Sequence, residues 1–128
     1  MGRIAILALA AVVSLAMPVN AAEHWRCRIE VVRYNLPTWP PKTHVLHPNS
    51  EYLIEFGRDG FDLVPVKGDI IDGFRIIENS RTVLSGLGLA HPGDLRLVLD
   101  KQHRSITIVS RREGGDIARS EKGTCFGP

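Results

Sequence analysis

The residues able to do chemistry here are five histidines, a few acids in turns and one serine between apolar neighbours. The sharpest arrangement depends on processing. A cut after Ala21 would leave Ala22-Glu23-His24 as the new N-terminus. A free α-amine, two backbone amides that can ionise and an imidazole then supply four nitrogens in a square plane, a set that suits Cu(II) or Ni(II). A cut one residue later would destroy the site. His44 and His47 form a second pair, but Pro40, Pro41 and Pro48 exclude a helix there, and no third ligand is in range. For acid–base work the candidate couples are His91 with Asp94 and His44 with Glu51, each of which must nearly touch to function. His103 reads as a turn residue. Asp69 and Asp72 read as turn formers. Ser85 lacks the glycine two residues before it that a nucleophile elbow needs. No Lys follows the Gly86 and Gly88 pair, so no phosphate loop is present. These absences favour a binding protein over an enzyme, with a small hydrolase of unrecognised site as one alternative and N-terminal copper or nickel binding as another.

The elements that must position these groups follow from a leader and a small body. Met1–Ala21 carries Arg3, then an apolar run from Ile4 to Met17, then small residues before Ala21, which reads as a cleaved secretory signal. The run is too short to span a bilayer comfortably, and no later stretch is apolar enough to do so. Residues 22–128 are then a single domain, exported to the periplasm or secreted. The formal charge of +2 for the whole chain falls to +1 once Arg3 is lost. That balance argues against a nucleic-acid partner. Cys27 and Cys125 are the only cysteines. In an oxidising compartment they are expected to form one disulfide, drawing the first and last strands together.

The body reads as short alternating runs between turn residues, the pattern of a sandwich or barrel. Trp25-Arg26-Cys27-Arg28-Ile29-Glu30-Val31 alternates, with Trp25, Cys27, Ile29 and Val31 expected in the core. Tyr52–Phe56 and Phe61–Val66 flank Gly57-Arg58-Asp59-Gly60, a hairpin signal. Phe74–Asn79, Thr82–Leu89, Leu95–Asp100, Ser105–Arg111 and Ile117–Cys125 follow. Gly86 and Gly88 suggest a bulge or bend. The expectation is an all-β domain: a small antiparallel β-barrel or barrel-like sandwich of about eight strands, closed by one disulfide. Asn35–Lys42 contains three prolines and reads as a loop. Its Trp39 is expected to plug one end of the barrel, the rival being a lid or partner-docking loop.

On the outer face Arg26 and Arg28 are expected near Arg119 and Lys122 of the last strand, with Arg111 and Arg112 on the same side. Together they would make a cationic surface for an acidic protein, a polysaccharide or an anionic lipid, set against the simpler role of charges guarding a strand. A small apolar ligand would instead enter at the barrel mouth. A signal, a disulfide and a compact β body resemble the layout of small periplasmic inhibitors of c-type lysozyme. Ser85-Gly86 matches the Ser-Gly pair of their inhibitory loop. Leu87, Gly88 and Leu89 depart from the polar follower those proteins carry. The resemblance implies an inhibitor of an enzyme, a second form of the binding function.

Overall fold

A computed structural model describes residues 23–89 and 94–128. The leader, Ala22 and His91 lie outside the described residues, so the signal reading, the amine end of the copper site and the His91–Asp94 couple are not addressed by it. Among the described residues nine strands form: β1 (Trp25–Leu36), β2 (Lys42–Leu46), β3 (Ser50–Phe56), β4 (Gly60–Pro65), β5 (Asp72–Asn79), β6 (Val83–Gly88), β7 (Asp94–Asp100), β8 (Ser105–Arg111) and β9 (Ile117–Phe126). From β3 onward each strand pairs antiparallel with the next in sequence. β1 pairs with β3 on one side and β9 on the other, so eight strands close into a barrel with β2 as an extra. The all-β barrel expected from alternation is the fold.

The core is the inward half of each alternating run: Cys27, Ile29, Phe61, Phe74, Leu84, Leu97, Leu99 and Ile106 are each almost fully excluded from water. Phe61 and Phe74 stack with centroids 5.2 Å apart. Gly86 lies beneath them. A Cβ there would fall 2.6 Å from Phe61 Cζ and 2.9 Å from Phe74 Cβ. Of the bulge or bend expected at Gly86 and Gly88, a bulge-type register shift is present, placed in the facing strand between Ile76 and Glu78, opposite Gly86 and Ser85. The glycines make room for rings and for Leu95. Cys27 and Cys125 face each other across β1 and β9 and are joined by a disulfide at the seam where the barrel closes.

Two expectations about the first strand are corrected. Alternation stops at a bulge between Ile29 and Val31, so Val32 rather than Val31 enters the core. An extra residue in one strand shifts every later side chain to the other face. β1 also runs on to Leu36, where β2 returns along it, pairing Val32 with Leu46 and Leu36 with Lys42. β2 and β3 lie on the same side of β1, interrupted at His47-Pro48-Asn49, where Asn49 has a φ of 48°. The result is one long hairpin arm reaching past the barrel. Trp39 is at its tip and is 93% exposed, so it does not plug the barrel. Pro37, Pro40 and Pro41 lie in the turn that reverses the chain between Leu36 and Lys42, which the overlong β1 carries away from the core.

Candidate functional site at the barrel mouth

The two ends of the barrel differ in chemistry. At the end where β1 begins and β9 finishes, Trp25 is buried and its Nε1 donates to Glu23 Oε1 at 2.9 Å. Lys101 Nζ lies 2.6 Å from the same carboxylate and donates to Asn79 Oδ1 and to the Ser80 carbonyl, both at 2.7 Å. Glu23 and Lys101 side chains are only 11% and 10% exposed. Gly127 presses against the Trp25 ring. A paired, hydrogen-bonded ion pair over an indole seals this end.

The opposite end carries ionisable groups on its inner face. In an antiparallel ladder directly opposed residues share a face. Ile108 is buried and opposes Glu121, which opposes Val32, also buried. Buried Ser110 opposes Arg119, which opposes Tyr34. Tyr52 opposes buried Cys27, and Asp72 opposes buried Leu63. Tyr34, Tyr52, Asp72, Ser110, Arg119 and Glu121 thus turn toward the barrel axis at one mouth. Arg119 Nε is 3.7 Å from Glu121 Oε2, and the Glu121 side chain is 16% exposed. Burial pushes the Glu121 carboxyl above its usual value. Arg119 pulls it back and Asp72 adds to the rise. Burial also raises the Tyr52 phenol, with Glu121 and Asp72 adding to it. Around this mouth stand exposed apolar side chains: Leu36 and Leu46 from the arm, Ile70 and Ile71 before β5, and Leu89 after β6.

The surface expected to be cationic is divided. Arg26 and Arg28 do lie on the outer face, but both hold Glu51. Arg26 Nε donates at 3.0 Å and its Nη2 also contacts Oε2, while Arg28 Nη2 donates to Oε1 at 3.0 Å. Hydrogen bonding from Arg26, and then from Arg28, holds the Glu51 carboxyl below its usual value. Lys122 opposes Val31 and is exposed on the outside with them. Arg119 is three positions away on the same strand and faces the mouth, apart from the other three. Arg111 donates to the Gly115 carbonyl, and Arg112 pairs with Asp116 and contacts the Asn35 carbonyl.

The other candidates are scattered. His44 opposes Tyr34 on the mouth side of the arm, whereas Glu51 opposes Arg28 on the outside, so that couple is not brought together. Asp94 holds Arg96. His103 Nδ1 meets Asp100 Oδ2 at 2.9 Å in the β7–β8 turn. Ser85 and Gly86 sit within β6, opposite Val98 and Leu97, and form no loop. Glu23 of the copper motif is committed to the sealed end, and His24 is exposed. Among the described residues no three His, Cys, Asp or Glu side chains are placed to hold a metal. No described helix is long and apolar enough to cross a membrane. Set against known proteins, the chain matches no family profile, no curated protein and no solved structure.

Sequence reasoning passed over Tyr34, Tyr52, Glu121 and Ser110. A signal for one of these, Glu121, exists in the last strand: counting back by twos from Cys125 puts Gly123, Glu121 and Arg119 on the core side.

Proposed function

We propose that this protein is an exported binding protein, not an enzyme, and that the barrel mouth opposite the sealed end takes a small amphipathic ligand. The observation that carries this reading is the inward Glu121–Arg119 pair at the barrel end opposite the sealed one. Charges on a barrel's inner face cost desolvation that apolar side chains of the same size would avoid. Such a cost is understandable where a ligand uses them. Barrel mouths are common places for small ligands, with an apolar lining and a few polar anchors. The exposed apolar rim would take a hydrocarbon portion, and the polar head would meet Glu121, Tyr52 and Asp72. Two carboxylates against one guanidinium favour a basic head over an acidic one. Export accords with the leader and the disulfide.

The test is thermal unfolding with a medium-chain alkyl amine and, separately, the alkyl carboxylate of equal length. The amine should raise the midpoint, by about 2.7 kcal/mol of stability at a hundredfold excess over its Kd. Glu121→Gln should abolish that gain. A gain that survives Glu121→Gln, or none with either amphiphile, overturns the reading.

A further inference from the structure

Among the described residues, closure of the barrel gives every strand two neighbours except β2, which pairs with β1 alone. Its outer edge presents unpaired backbone donors and acceptors over five residues, all of them exposed. Natural proteins blunt such edges with proline, bulges or several charges. Here the prolines stand outside the strand, at Pro41 and Pro48, and Lys42 is the one charged guard.

We propose that the β2 edge is the interface of a two-fold symmetric dimer of this chain, with Trp39 of each copy seated in a groove of the other. Symmetric antiparallel pairing of all five residues centres on His44. It sets His44 opposite the partner's His44, Thr43 opposite the partner's Val45, and Lys42 opposite the partner's Leu46. The two lysines are kept apart, each beside an aliphatic side chain. In such a two-fold contact one patch serves both copies. Past the ends of the strand, the same antiparallel direction brings the turn at residues 37–41, with Trp39, beside the partner's His47-Pro48-Asn49. Pro48 and Asn49 form the rim of a groove of about 470 Å³, lined further by Tyr52, Pro65, Val66 and Lys67. An indole 93% exposed at the tip of one arm is thus delivered to a groove of the other. Buried aromatic anchors of this kind carry most of the energy in many interfaces. Val45 and Leu46, 43% and 53% exposed, would also be covered.

The register makes the test specific. In sedimentation equilibrium of the intact exported protein, the wild type should be dimeric in the range of about 1–100 μM. His44→Asp and His44→Lys each place like charges opposite themselves at the dyad, and each should weaken association by about tenfold or more. Mixed in equal amounts, the two variants should restore a dimer containing one of each. Trp39→Ala should weaken association without altering the circular dichroism of the monomer. A wild type that stays monomeric to about 1 mM overturns the proposal and leaves the edge to a strand from a different protein. A dimer indifferent to both His44 charges, or variants not rescued by mixing, places the interface elsewhere and also overturns it. The dimer would cover Leu46 and share Tyr52 with the proposed ligand mouth, but the ligand reading is judged separately, by the response of Glu121→Gln.

Discussion

At the scale of single residues, the same side-chain type behaves oppositely according to the face it occupies. Glu51 on the outside is held charged by Arg26 and Arg28. Glu121 on the inside has its proton held more tightly than in the unfolded chain, because burial outweighs its one cation. The consequence for stability has a definite sign. A carboxyl whose folded pKa is raised favours folding in its protonated form, so its contribution is fully present below the unfolded value and declines as pH rises through the folded one. Glu121→Gln, which keeps the shape and removes the charge, should therefore stabilise the protein at neutral pH. The gain should vanish below about pH 4, where the wild-type carboxyl is protonated in both states. Urea unfolding of both proteins across this range measures it. A variant less stable than wild type at neutral pH would mean that the Arg119 contact outweighs the burial.

At the scale of elements, the barrel depends on a few places where two strands or a ring come closer than a Cβ allows. At Gly86 the added methyl would meet Phe61 and Phe74, which are stacked and fully buried and have no room to yield. At Gly123 it would lie 1.9 Å from the Arg28 carbonyl oxygen, at the seam between β1 and β9. A side chain can turn aside, whereas a backbone carbonyl in a ladder cannot without loss of pairing. Gly86→Ala should cost about 1–3 kcal/mol, the usual range for overpacking. Gly123→Ala should cost more than Gly86→Ala and should speed amide exchange along β1 and β9. Chemical denaturation with residue-resolved exchange separates the two cases.

For the whole molecule, the disulfide fixes the one pairing that closes the barrel. Every other neighbouring pair among β3 to β9 is joined by a short connection, but β1 and β9 lie at opposite ends of the described chain. Cys27 and Cys125 are 98 residues apart. Linking so long a stretch removes much of the unfolded chain's freedom, about 4–5 kcal/mol in the chain-entropy account. Cys27→Ser combined with Cys125→Ser should lower unfolding free energy by up to that amount. Its earliest exchanging amides should lie at the β1–β9 seam. Equal loss of protection around the barrel would show that the bond stabilises the fold as a whole rather than this seam.

Alternation and turn residues were enough to specify an all-β body, seven of the nine strands near their observed limits, and the disulfide pair. Those features are local: a period of two and a Gly-Arg-Asp-Gly turn act within a few residues of chain. The β2 strand was not legible, because the prolines on either side of Lys42–Leu46 mask an alternation that only the overlong β1 can pair. The face of Val32 was not legible either, since a bulge leaves no mark in residue types. Arg119 and Glu121 could be assigned to the inner face by counting from Cys125. That they share a mouth with Tyr34, Tyr52 and Asp72, contributed by three other strands, follows only once the sheet curls and closes. Closure turns one end of each strand toward a common axis, and no spacing along the chain encodes which ends those are.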